Sequence, residues 1–276
     1  MGKVIAIANQ KGGVGKTTTA VNLGSALNRE NKKVLIIDLD DKTNAAISLG
    51  FSRELIEMSS YDLIVNNEMI EECIYKTHDK NFEIIPGSSK LSKIETLLKE
   101  KKDRELILEE KVGYIKDNYD YILLDCPPSL GLLMENALYA ADSVLIPVEC
   151  DYLAYDALTQ MVNKISKIQA IQNAKQKNLT IEGVLLTKLD NRNVLGYRII
   201  DKVKELFPTR TFKTIISRSA HLQDAPMQGK SVLKTAYHSK SSREYRELAK
   251  EILMNNGELD GWFLWVFKNI SINFNN

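Results

Sequence analysis

The ten residues from Asn9 to Thr18, Asn-Gln-Lys-Gly-Gly-Val-Gly-Lys-Thr-Thr, combine three glycines, two lysines and two threonines. Gly12, Gly13 and Gly15 carry no Cβ, so their backbone N–H groups are free to converge on phosphate oxygens. Lys16 then reaches the terminal phosphates of a nucleotide, and Thr17 offers its hydroxyl to Mg²⁺. Val14 and Thr18 complete the cradle. Two acids that end apolar runs extend this chemistry. Val34-Leu35-Ile36-Ile37 ends in Asp38, with Asp40 just beyond, and Tyr121-Ile122-Leu123-Leu124 ends in Asp125. An acid at the end of a buried strand holds Mg²⁺ directly or through water. One such acid is as often a helix cap, whereas two beside a phosphate loop read as a metal site.

The elements that must position these groups alternate. The apolar run 4–8 precedes the glycine loop, and 20–27 after it has helical spacing. Further strands are predicted over 34–38, 82–86, 121–125, 143–148, 181–186 and 211–216. Long helical patterns cover 90–117, 153–172, 194–206 and 241–255. Near-continuous apolar strands separated by helices predict an α/β fold. It is a P-loop arrangement with a mostly parallel, twisted sheet and helices on both faces. One domain over 1–255 is expected, followed by a tail over 256–276. The charge run 100–105 reads as an exposed connection, and Asn255-Asn256-Gly257 as a helix stop.

Composition narrows the class. The chain has 276 residues with 44% hydrophobic content, enough for an ordinary core. No apolar run approaches the roughly 18 residues that a bilayer span requires. With a strand beginning by residue 4, no signal peptide is expected, and a cytoplasmic location follows. Cys73, Cys126 and Cys150 lack metal or disulfide spacing, and the last two read as buried apolar groups. His78, His221 and His238 have no metal spacing either. Charge is uneven: residues 188–246 hold 13 Lys/Arg against 5 Asp/Glu. That half is either a polyanion-binding surface or a set of solvated helix faces.

The loop departs from the common G-x-x-x-x-G-K-S/T spacing, because Gln10 replaces the first glycine and Lys11 adds a second lysine. In this it resembles the deviant P-loop K-G-G-x-G-K-S/T-S/T of the ParA/MinD/nitrogenase-iron-protein group. Asp125-Cys126-Pro127-Pro128-Ser129-Leu130-Gly131 and His221 to Lys230 resemble the ParA/Soj branch, and the likeness runs over about residues 1–255. The resemblance implies an ATPase that uses ATP and Mg²⁺, with Thr17 and Asp125 at the metal. By the same resemblance Lys11 is expected to act from a second subunit, Lys16 to hold phosphate, and Asp40 to orient the attacking water. It implies an ATP-bound sandwich homodimer that binds double-stranded DNA without sequence preference and is nucleoid-associated in that state. A DNA-bound ParB-like adaptor stimulates hydrolysis and release. Positions matching DNA contact are Arg192 and Arg218, with Lys213 and Lys230 beside them. The resemblance also implies that Ser217 and Arg218 border the adenine pocket.

Two departures from the family stand out. The usual D-x-D-P-Q-x-N reads Asp38-Leu39-Asp40-Asp41-Lys42-Thr43-Asn44, so a less rigid switch loop is expected. Ile216-Ser217-Arg218 stands where the family usually has I-P-R, so Ser217 replaces the proline. A MinD-like membrane ATPase is the alternative; it calls for a basic amphipathic tail, whereas the stretch around Trp262 and Trp265 is nearly uncharged. An iron–sulfur reductase would need cysteines bridging two subunits, and only Cys126 lies near the site.

Overall fold

The computed structural model describes residues 2–151, 154–174, 176–190, 192 and 194–259. The aromatic stretch around Trp262 and Trp265 lies outside the described residues. In chain order the strands and helices are β1 (Lys3–Ile7), α1 (Lys16–Arg29), β2 (Val34–Asp38), α2 (Asn44–Ser48), α3 (Ser60–Ile64), β3 (Tyr75–Lys76) and β4 (Phe82–Ile85). They continue with α4 (Ile94–Leu97), α5 (Ile107–Ile115), β5 (Tyr121–Asp125), α6 (Leu132–Ala140), β6 (Ser143–Glu149), α7 (Ala154–Ala174) and β7 (Thr180–Thr187). The chain finishes with α8 (Val194–Leu206), α9 (Ala220–Asp224), α10 (Val232–Thr235) and α11 (Lys240–Asn255).

Among the described residues the strands form one sheet in the order β3-β4-β2-β5-β1-β6-β7. All pairs are parallel except the edge pair β3–β4. Alternate residues of each strand feed opposite faces, as the pleat requires. In β1, Val4 and Ala6 join the layer built from α5, α6 and α7. Ile5 and Ile7 join the opposite layer, where α1 and α11 pack. The central strands are buried from end to end, which is why they read as unbroken apolar runs rather than alternating ones.

Two expectations fail. Residues 211–216 do not form a seventh parallel strand. Their backbone meets β7 and its exit in scattered bonds rather than a ladder: isolated bridges at Val184–Thr211 and, just beyond the segment, Leu189–Ser217, and the Ile216 N–H donating to the Leu186 carbonyl (2.9 Å). The cause is Glu251 of α11, whose carboxylate accepts the N–H groups of Lys213 (2.7 Å) and Thr214 (3.1 Å) and draws the middle of the segment out of the ladder. The pattern over 90–117 is not one helix but a short turn, α4 and α5. Asp103, with φ 51°, breaks it inside the exposed charge run. Asn136 of α6 then restarts it, accepting the Leu108 N–H (3.0 Å) and donating to the Arg104 carbonyl (2.9 Å).

The far end of α11 is clasped to the start of the sheet. Gly257, at φ 71°, turns the chain after Asn255. Asn256 then accepts from Lys3 and donates to the Tyr121 hydroxyl (3.1 Å), while Glu258 accepts from that hydroxyl and pairs with Lys32.

Candidate functional site

The carboxyl ends of β1, β2, β5 and β6 converge, and the glycine loop fills the space above them. Gly13 (φ 77°) and Gly15 (φ 95°) take left-handed backbone that disfavours side chains, and Gly15 leads into α1. The loop therefore presents the start of α1, with its unpaired N–H groups, to any ligand above. Val14 is buried, and its carbonyl accepts from the Thr187 hydroxyl at the end of β7 (2.8 Å).

Lys16 is buried, with its ammonium 3.2 Å from the Lys11 carbonyl. Burial lowers its pKa, while Asp125 and Asp40 pull it back up. Asp125 is fully buried, and neither carboxylate oxygen has a hydrogen-bond partner. Burial pushes its pKa up to about 7, opposed by the nearby Thr17 hydroxyl and by Lys16. An orphaned carboxylate next to a threonine hydroxyl at a phosphate loop suits a hard divalent cation, whose remaining ligands come from phosphate and water. Asp38, the other strand-ending acid, is not free for a metal. Its two oxygens accept the N–H groups of Asp40 (2.9 Å) and Ala45 (3.1 Å). Burial also raises its pKa well above the usual carboxylate range, with Asp125 adding to the effect.

The switch turn that carries Asp40 is less loose than its missing proline implies. Besides the two bonds to Asp38, Asp40 accepts from the Lys42 N–H (3.0 Å) through its side chain and from the Thr43 N–H (3.2 Å) through its carbonyl. Arg53 holds the Lys42 carbonyl (2.7 Å). These bonds replace the fixed φ that proline would have supplied. Gly87, after β4, lies directly against this turn: a Cβ there would fall 2.3 Å from the Asp40 carbonyl oxygen.

Lys11 does not point at its own loop. Its ammonium pairs with Asp151 and lies 3.8 Å from Glu149. A groove beside the loop is lined by Gly15, Thr18, Glu149, Lys188, Ser217 and Arg218, with Tyr245 at its base. The expected residues Thr18, Ser217 and Arg218 are thus brought together. Ser217 uses the N–H that a proline would lack: it donates to Glu244 (3.0 Å), and its hydroxyl donates to the same carboxylate (2.7 Å). Lys188 was not expected. It follows β7 in left-handed backbone (φ 55°), and the only sequence signal was a lysine directly after an apolar strand.

A second groove is lined by Asp190, Arg192, Ser217, Arg218, Ser219 and Lys240. Arg192 and Arg218 therefore share a surface, but Lys213 and Lys230 do not line it. Lys213 lies on the segment held by Glu251, and Lys230 lines a separate hollow with His78 and Lys234. Lys240 joins the arginines instead. Arg192 is chelated by Asp190 at 3.0 and 3.1 Å, and its hydrogen bonds hold that acid down to about 2.

A left-handed glycine loop entering a helix, an aspartate orphaned beside it and a buried lysine define a P-loop ATPase. A family model described as an AAA domain matches residues 2–181. The chain is 44% identical over 255 residues to the sporulation initiation inhibitor protein Soj of Bacillus subtilis, covering 92% of this chain and 100% of that one. It is 38% identical over 258 residues to the chromosome-partitioning ATPase Soj of Treponema pallidum, covering 94% and 100%. Among solved structures, cobyrinic acid a,c-diamide synthase from Mycobacterium smegmatis with bound ADP and magnesium aligns with a TM-score of 0.77. That match is 29% identical and covers 91% of this chain and 93% of the other. The chain belongs to the Soj/ParA family of P-loop ATPases. Among the described residues, no helix is long and apolar enough to cross a membrane.

Proposed function

We propose that this chain is an ATP-dependent DNA-partitioning ATPase. Its ATP-bound dimer binds double-stranded DNA without sequence preference, and a DNA-bound ParB-like adaptor stimulates the hydrolysis that releases it. The observation that carries this reading is the continuity of two grooves. The one beside the glycine loop and the one bearing Arg192, Arg218 and Lys240 share Ser217, Arg218, Ser219 and Gln223. A nucleotide seated in the first bears directly on residues that face a polyanion in the second.

Within this reading Gly12, Gly13, Val14, Gly15, Lys16, Thr17 and Thr18 hold the phosphates of ATP. Thr17 and Asp125 hold Mg²⁺, which neutralises phosphate charge when bound. Asp40, fixed by the turn around Asp38, orients water at the open side of the loop. Ser217 and Arg218 border the base. Lys11 must leave Asp151 and Glu149 to reach a partner's nucleotide, so the ATP-bound dimer is the state in which those acids lose it. Residues 1–255 act as one unit.

Co-sedimentation with DNA and with liposomes, each with ATP, ADP or no nucleotide, tests the proposal. DNA binding is expected with ATP alone, insensitive to sequence. If each monomer neutralises about two phosphates, log K against log salt has a slope near −3 to −4 for the dimer. Arg218→Glu and Arg192→Glu should each weaken DNA binding and leave ATP-driven dimerisation intact. Recruitment to liposomes without ATP-dependent DNA binding would overturn the proposal in favour of a membrane-associated positioning ATPase.

A further inference from the structure

Lys188 sits where its backbone is costly and its side chain is close to the phosphate loop. Its φ of 55° lies in the region that glycine and asparagine tolerate better than lysine. The segment around it is pinned on both sides. Thr187 donates to Val14 of the loop (2.8 Å), its carbonyl accepts the Cys150 N–H (3.1 Å), and Leu189 donates to the Ile216 carbonyl (3.3 Å). The Lys188 position is therefore set by the loop itself and by the end of β6. Its ammonium hangs over the loop: a methyl group built on Gly13 would lie 3.9 Å from Nζ.

The partner of that ammonium is also telling. Lys188 Nζ is 3.4 Å from Glu149, the acid that lies 3.8 Å from Lys11, and both Lys188 and Glu149 line the groove beside Gly15 and Thr18. A carboxylate on the wall of a site for a polyanion opposes binding unless a cation neutralises it. An ion pair this exposed, with the Lys188 side chain 43% accessible, contributes little to stability. The pair is thus readily exchanged for a more highly charged partner. A nucleotide's phosphates are such a partner, and a charge-assisted hydrogen bond to them outweighs the surface pair.

We propose that Lys188 is a phosphate-contacting residue of the nucleotide site, a third lysine beside Lys16 and Lys11 that acts within its own chain. Glu149 holds it until phosphate displaces that carboxylate. This rests on the reading of the site as an ATP site. It goes beyond it in assigning nucleotide contact to the exit of β7 and a release step to Glu149.

The test is equilibrium titration of the full chain with fluorescently labelled ATP and ADP at fixed Mg²⁺, with adenosine as a competitor. The variants are Lys188→Gln, Lys188→Gly, Glu149→Gln and the Lys188→Gln/Glu149→Gln double. Both Lys188 variants are expected to raise Kd for ATP and ADP about tenfold, the scale of one charged hydrogen bond. Adenosine competition should stay within about twofold, because adenosine lacks the phosphates. Lys188→Gly relaxes the left-handed backbone, so its thermal midpoint should equal or exceed that of the parent, which separates lost contact from lost folding. Glu149→Gln should tighten ATP binding about threefold, and that gain should shrink in the double variant. Wild-type affinity for ATP and ADP in both Lys188 variants overturns the proposal while leaving the ATP site intact. Equal weakening of ATP and adenosine overturns phosphate contact. A Glu149→Gln gain kept in full in the double overturns the release step. Failure of the parent chain to bind ATP overturns the ATPase reading itself, and this proposal with it.

Discussion

Gly87→Ala is a single added methyl group whose effect can be worked out in ångströms. The new Cβ would meet the Asp40 carbonyl oxygen at 2.3 Å and the Asp38 carboxylate at 3.1 Å, against ordinary contact from 3.4 Å. The Gly87 backbone is not left-handed, so the perturbation is steric and not conformational. Either the switch turn or the chain after β4 must move by about 1 Å, and overpacking on this scale costs about 1–3 kcal/mol. For a domain of this size each kcal/mol lowers the thermal midpoint by about 2–4 °C. The turn is the softer side, because β4 is anchored by its ladder to β2 and by the Ser60 N–H to the Pro86 carbonyl (2.8 Å). With Asp40 in the proposed water-orienting role, a displacement of about 1 Å there costs on the order of 100-fold in rate. We therefore expect kcat for ATP hydrolysis to fall by about 10- to 100-fold, with ATP affinity within about threefold of the parent. Phosphate release, labelled-nucleotide titration and thermal melts read these three quantities. Gly113→Ala is the control: its Cβ meets nothing within 4 Å inside α5, so it should stabilise by about 0.5–1 kcal/mol and leave kcat alone. A lowered midpoint with unchanged kcat would refute the reasoning, since the strain would then have gone elsewhere than Asp40.

Other perturbations address the same site. Asp40→Ala should bind ATP but turn over at least ~10-fold more slowly, and equal turnover would move the water-orienting role to another acid of the turn. Lys16→Ala should abolish ATP binding, whereas Lys11→Ala should keep much of it and lose the ATP-dependent dimer in light scattering; an unchanged dimer would sink the role in trans. For Asp125 the folded pKa of about 7 exceeds the ordinary carboxylate value of 3.8. The folded state therefore keeps a proton that the unfolded state has released, so the Asp125 contribution to nucleotide-free stability should be lost as pH rises from about 4 to about 7, with buried Asp38 adding a slope of the same sign. Asp125→Asn removes the Asp125 share of that slope, so urea melts should find it more stable than the parent by about 4 kcal/mol at most at pH 8 and unchanged near pH 4.

The phosphate loop, the central strands and α8 were legible because each is specified by contiguous residues. Two strands and one helix, Val34–Asp38, Tyr121–Asp125 and Val194–Leu206, fall on their expected bounds. What stayed illegible depends on groups far apart in the chain. The apolar run 211–216 looks like a strand until Glu251 takes two of its amides. Asp38 and Asp125 look alike at the ends of their strands. Only the fold shows that one is spent on holding a turn while the other is left unpartnered. Lys240 and Lys188 were lost among many lysines, because clustering in space leaves no mark on local composition. The two family departures were visible, but their compensation was not: Glu244 and Arg53 supply it from other elements.

The clasp of Asn256 and Glu258 onto Lys3, Lys32 and Tyr121 has a practical consequence for imaging. It fastens the end of α11 to the residues where β1 and β5 begin, whereas the phosphate loop springs from where β1 ends. Five residues of extended chain, about 16 Å, separate the two. A fluorophore attached at Leu259 thus starts on the rim opposite the nucleotide and its neighbouring basic groove. Its glow would report where the protein is without standing between it and whatever it holds.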